Sequence, residues 1–172
     1  MPQLPGSPLE IFPLNLGGNA FGWTADEVTS HAVLDRFVEA GGTFVDTADS
    51  YAAWVDDVGG QSETIIGRWL AARGSRDDVL VATKVARKQG REELAHDTVV
   101  AALEESLDRL QTDHVDLYYA HYDDATTPLE ETLTAFDELV QAGKVRYVAA
   151  SNYSPERLTE ALGTSERLGL AR

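Results

Sequence analysis

Apolar and polar residues fall in alternating blocks along this chain, and the blocks carry two different periods. Short apolar runs, rich in β-branched and aromatic residues, read as strands. They lie near residues 14–18, 43–48, 78–85, 114–122 and 144–153. The longer stretches between them repeat apolar residues at helical spacing and predict helices over 24–42, 62–74, 97–112, 128–143 and 154–169. In the first helix Val33, Leu34, Phe37 and Val38 form the apolar face, Thr24 is the expected cap with Glu27 completing a capping box, and Gly41 is the stop. In the third, Val100, Leu103, Leu107 and Leu110 share one face. The fourth has Pro128 near its start and Gly143 at its end, and the fifth is capped by Ser154 with Pro155 at its first position.

Five strand–helix units in succession predict a parallel sheet covered by helices. Two architectures satisfy that pattern: an open doubly wound sheet, or a (β/α)8 barrel of which these are five units. A doubly wound dinucleotide domain carries G-x-G-x-x-G after its first strand. Here the turn reads "GGNAFGW", and Gly17, Gly18 and Gly22 do not have that spacing. The chain contains no P-loop and no metal-ligand spacing such as H-E-x-x-H, so no metal site is expected.

Composition narrows the function classes. A length of 172 residues suits one domain, and 43% hydrophobic residues suffice for a packed core. The net charge of −15 argues against binding nucleic acid or an anionic membrane surface, both of which need basic patches. No apolar run approaches the ~18 residues that span a bilayer. The N-terminus lacks the basic start and apolar centre of a signal peptide. Without cysteine there are neither disulfides nor thiolate metal sites, and a cytoplasmic location is the default expectation.

The polar residues that interrupt the strands all fall near strand C-termini. Asp46 ends the second strand, and Tyr51 lies in the loop beyond it. Lys84 sits near the end of the third, His121 near the end of the fourth, and Ser151 and Asn152 end the fifth. In parallel α/β folds these ends lie on one side, where ligands bind. Taken alone, an Asp or Asn at a strand end is as often turn chemistry, and a lone His is more often packed than catalytic. A lysine in an apolar strand is harder to dismiss, because a buried ammonium needs a partner. Together the set suggests a tuned phenol. Tyrosine is a poor acid near neutrality unless a neighbouring cation stabilises its phenolate. A carboxylate beside that cation holds it in place. Such a hydroxyl can protonate an oxygen that gains negative charge, for example a carbonyl oxygen receiving a hydride.

From about residue 10 to 170 the chain resembles the aldo-keto reductases. "GGTFVDTADSY" resembles the family's second-strand signature with its D-T-A-x-x-Y core, and "GGQSETIIGRWL" the helix start that follows. "VLVATKV" resembles the lysine strand, "EESLDRLQTDHVDLYYAHY" the run from S-L-x-R-L to D-L-Y-x-x-H, and "GKVRYVAASNY" the G-K-[IV]-R-x-x-G-x-S-N segment. The resemblance implies a (β/α)8 barrel that uses NADPH, sometimes NADH, to reduce a small-molecule carbonyl. It assigns Tyr51 as general acid, Lys84 and Asp46 as its tuning pair, and His121 as the substrate-orienting group. Ser151 and Asn152 would bind the nicotinamide carboxamide, Asp46 would share in holding the cofactor, and Gly18 and Asn19 would approach cofactor and substrate. Trp23 and Trp54 are candidates for the wall of the carbonyl pocket. Channel β-subunits share this fold, so a non-catalytic NADPH-binding regulatory subunit is the alternative, together with an inactive half-barrel.

The chain departs from the family pattern in three places. "HYDD" stands where H-x-P-D is usual. The loop "AAWVDDVGGQ" is long and acidic, and Asp56 and Asp57 are expected to disfavour anionic substrates. A complete barrel takes about 250 residues, whereas this sequence stops at "GLAR", where a sixth strand is expected. Closing the barrel is therefore expected to need a C-terminal half or a partner chain, and these residues alone are expected to bind NADPH weakly at most.

Overall fold

The computed structural model describes residues 2–3 and 7–172. Five parallel strands form one sheet in sequence order: β1 (Leu16–Gly17), β2 (Phe44–Asp46), β3 (Leu80–Val85), β4 (Val115–Ala120) and β5 (Val145–Ala150). The connecting helices are α1 (Glu27–Glu39), a short α2 (Ala53–Asp56), α3 (Gln61–Arg73), α4 (His96–Leu110), α5 (Leu129–Gln141) and α6 (Pro155–Leu168). A 3-10 turn over Gly18–Ala20 follows β1.

The strand alternation separates two apolar layers. Val45, Val81, Val85 and Tyr118 pack with Leu34, Ile66, Trp69, Leu103, Leu107 and Phe136 to form the main core between sheet and helices. Phe44, Ala82 and Leu117 form a smaller cluster on the other face, with Leu80, Tyr119 and Tyr147 beside it. Leu9 and Ile11, from the segment before β1, cover this inner cluster. Asp46 and Lys84 share the inner parity with Phe44 and Ala82, as Lys84 pairs in register with Tyr119 and Asp46 with Ala82.

One buried polar cluster and one close helix approach lock the frame. Asp116 of β4 is fully buried and accepts from Arg76, Arg146 and the Val81 amide at 2.8–2.9 Å, which ties β3, β4 and β5 together. Between α3 and α4 the backbones approach so closely that a Cβ on Gly67 would lie 2.1 Å from the Arg109 carbonyl oxygen, so only glycine fits.

Several predicted boundaries shift. The first helix begins at Glu27 and is capped by Asp26, whose carboxylate accepts from the Thr29 amide at 2.8 Å, and not by Thr24. Residues 22–25 instead form a tight turn, with Gly22 N donating to Ala25 O, so Glu27 opens the helix and no capping box forms. The glycine stop holds: Gly41 adopts φ +91° just beyond the helix end. Strand β1 is shorter than the apolar run suggests, because Leu14 is exposed and Gly18 already enters the 3-10 turn. The remaining helices sit within a residue or two of their predicted limits, with Gly74 and Gly169 in left-handed caps and Ser154 capping α6. Strands β1 and β5 are the sheet edges. Beside β5, Leu158, Leu162 and Leu168 of α6 remain partly exposed. Among the described residues no helix is long and apolar enough to cross a membrane.

Candidate active site

The centre of the site is the ammonium of Lys84. Strand β3 carries it up the inner face, where it is 7% exposed. A lysine has three N–H donors, and all three find acceptors. Nζ donates to Asp46 Oδ2 at 2.7 Å, to the Thr47 carbonyl at 2.7 Å and to the Tyr51 hydroxyl oxygen at 3.0 Å. The loop after β2 is wound so that this can happen. Thr47 N donates to Ala82 O and Asp49 N to Lys84 O, which continue the ladder past the strand end. The chain then turns, Tyr51 N donating to Ala48 O and Gly60 N returning to Tyr51 O. Burial pushes the Asp46 carboxyl upward, and the charge and hydrogen bond of Lys84 offset part of that rise.

His121 follows β4 directly, its amide bound to the Val85 carbonyl at 2.9 Å. Its ring stands edge-on to Tyr51, with centroids 6.0 Å apart. Burial, and then the positive charges of Lys84 and Arg87, push its pKa down to about 4, so the imidazole is neutral near pH 7. Its buried Nδ1 has no hydrogen-bond partner among the described residues. A neutral ring offers one donor and one acceptor nitrogen, which suits it to orient a substrate oxygen.

Past β5, Asn152 takes a left-handed conformation at φ +59°. Its amide Nδ2 donates to the His121 carbonyl at 2.8 Å and to Ser151 Oγ at 2.9 Å, joining the ends of β4 and β5. Gly18 is buried against the same region, where a Cβ would lie 2.7 Å from Ser62 Oγ and 3.1 Å from the Asp46 carbonyl. Its own carbonyl accepts from Ser62 Oγ, and Asn19 beside it is exposed. Trp23 and Trp54 meet edge to face at 5.5 Å, and Trp54 lies 6.4 Å from Tyr51. Both indoles remain more than half exposed, so they form an outer wall beside Tyr51. The structure thus gathers Asp46, Tyr51, Lys84 and His121 tightly, extends them through the two tryptophans, and sets Ser151 and Asn152 behind His121.

Sequence reasoning missed two features. Tyr122 continues the aromatic row 5.5 Å from His121, and Arg87 lies over its ring at 4.2 Å. The second is a buried polar cluster beneath the Tyr51 loop. There Glu63 is fully buried and accepts from Thr83 and Arg109, while Asp49 is 1% exposed and its carboxyl oxygens have no well-formed hydrogen bond among the described residues. Burial and then the Glu63 charge push Asp49 up to about 7, against the opposing charges of Arg109 and Lys88.

Residues 13–170 match the Aldo/keto reductase family. The chain belongs to the aldo-keto reductases. It is 39% identical over 147 residues to the aldo-keto reductase YhdN of Bacillus subtilis (strain 168), covering 83% of this chain and 42% of that protein. It is 33% identical over 165 residues to norsolorinic acid reductase B of Aspergillus parasiticus, covering 86% and 42%. It is 36% identical over 169 residues to the aryl-alcohol dehydrogenase [NADP(+)] of Phanerodontia chrysosporium, again covering 86% and 42%. Among solved structures, the holo form of aldo-keto reductase AKR11C1 from Bacillus halodurans superposes with a TM-score of 0.81 at 34% identity, over 95% of this chain and 53% of that one. The chain thus spans about half the length of these aldo-keto reductases, and its five βα units are of their barrel type.

Proposed function

We propose that this chain carries the proton-donating half of an oxidoreductase that reduces an aldehyde, a ketone or the open-chain carbonyl of a sugar, with NADPH as cofactor and NADH as the second candidate. The observation that carries this reading is the triple contact of Lys84 with Asp46, Thr47 and Tyr51. Lys84 donates to the phenolic oxygen, so the Tyr51 proton is directed to another acceptor. A carbonyl oxygen placed between Tyr51 and His121 would take that proton, and the ammonium 3.0 Å away stabilises the phenolate left behind. Neutral His121 supplies a second polar contact to the same oxygen. Trp23 and Trp54 flank the substrate.

The residues present suit a nicotinamide cofactor, which supplies the hydride when bound. Asn152 donates to the His121 carbonyl and to Ser151 Oγ through Nδ2, which leaves its Oδ1 to accept from a carboxamide and the Ser151 hydroxyl hydrogen to donate to one. The names of two similar proteins support the cofactor: one relative is an NADP(+) dehydrogenase, and the solved neighbour is a holo form. The edge strands β1 and β5, and the apolar groove of Phe136, Val148, Leu158 and Leu162 beside β5, support closure of the barrel by further chain or by a partner.

A test follows NADPH oxidation against a panel of aldehydes and ketones. Reduction of at least one supports the reading. Tight NADPH binding with no carbonyl reduced by any member would instead favour a regulatory, non-catalytic subunit.

A further inference from the structure

Arg87 differs from the chain's other arginines. Among the described residues every other arginine pairs with a carboxylate. Among the described residues no carboxylate lies within ion-pair distance of Arg87, although the chain carries a net charge of −15. Its guanidinium instead lies 4.2 Å over the ring of Tyr122, and that ring stands 5.5 Å from His121. Stacking fixes the plane of a guanidinium and leaves its N–H edge free for a planar anion.

The backbone that places Arg87 is strained. Ala86 is buried and holds φ +73°, a left-handed conformation that residues with a Cβ rarely adopt. This turn breaks the alternation of β3 two residues after Lys84 and brings Arg87 beside the residue that follows His121. The carboxylates nearest the cleft are otherwise engaged or out of reach. Asp123 pairs with Arg157 at 2.9 Å, and Glu92 lines the same cleft without reaching Arg87. On the far side, Asp56 accepts from the Val58 and Gly59 amides and from Gln61, within its own loop.

We propose that Arg87, held over Tyr122, anchors an oxyanion on the carbonyl substrate, so that the site prefers aldehydes and ketones bearing a carboxylate or phosphate. This inference rests on the reductase reading, and it reverses the expectation that Asp56 and Asp57 turn anionic substrates away. The anion would sit one aromatic ring beyond His121, with the carbonyl at Tyr51.

Two matched probe pairs test it: 4-carboxybenzaldehyde against its methyl ester, and glyceraldehyde 3-phosphate against glyceraldehyde. Each is titrated calorimetrically against the protein and then assayed for kcat/KM. The anionic member of at least one pair should bind about tenfold tighter, and the pair that shows it identifies carboxylate or phosphate. The advantage should shrink as salt is raised. Arg87→Ala should bring the ratio to about one, and Arg87→Lys should restore part of it. A ratio near one in the unmodified protein, no binding of any probe, or a ratio unmoved in Arg87→Ala overturns the proposal. Titration reads Arg87 without turnover. An Arg87-dependent preference with no reduction therefore sinks the reductase reading alone, and equal reduction within each pair sinks the anion subsite alone.

Discussion

Lys84 Nζ lies 3.0 Å from the hydroxyl oxygen of Tyr51, and the same ammonium holds Asp46 at 2.7 Å. The two contacts make one unit of a phenol, a cation and a carboxylate that come from a loop and two adjacent strands.

That unit predicts a split between stability and activity. Lys84→Met leaves Asp46 without its counter-ion and should destabilise the protein by about 2–3 kcal/mol, less than a fully buried pair would cost because Asp46 keeps 18% exposure. Adding Asp46→Asn should recover most of the stability and none of the turnover. Urea unfolding paired with a reductase assay checks this, and recovery of activity in the double variant would count against the role given to Lys84.

The site should make stability depend on pH in two opposing ways. His121 titrates near 4 in the folded protein against an ordinary value of 6.5, so the unfolded chain binds more protons between those values. Its contribution is present above about 6.5 and is lost as pH falls towards 4. Asp49 is raised from 3.8 to about 7, so its contribution is present below about 4 and is lost as pH rises through 7. The groups facing Asp49 are Glu63, Arg109 and Lys88. Denaturant midpoints measured from pH 4 to 8 should show a shallower acid-side loss in His121→Asn and a gain near pH 8 in Asp49→Asn. The Asn152 bond should survive His121→Asn, since it is made to the backbone carbonyl.

Much of this arrangement is legible in the sequence because strand alternation is strict. Phe44 and Asp46 fall on one parity, as do Ala82 and Lys84, and the inner face follows from that period. Glycine stops at Gly41, Gly74, Gly143 and Gly169 are equally legible, since positive φ favours glycine. The exchange of Thr24 for Asp26 was not legible, as both are good caps and the turn at Gly22 decides between them. Nor was Arg87. Alternation places it opposite Lys84, and an alanine gives no sign that it will adopt φ +73°. Asp49 reads as turn chemistry in "DTADSY", and its neighbours Glu63 and Arg109 come from distant helices, so only the tertiary fold shows that it is buried.

The Asp116 clamp predicts a fold defect remote from the chemistry. Asp116→Ala strands two arginines and a strand amide that now share one buried carboxylate. The cost should be about 3–5 kcal/mol, read as a lowered urea midpoint. A change below about 1 kcal/mol would mean that water replaces the clamp.

The most direct measurement is the turnover of Tyr51→Phe, with NADPH affinity measured alongside by fluorescence titration. In the proposed function the hydroxyl is the proton donor, and it lies against Lys84 and Asp46. Turnover should therefore fall by about a hundred- to ten-thousandfold while cofactor affinity stays within about twofold. Turnover equal to that of the unmodified protein would contradict the account.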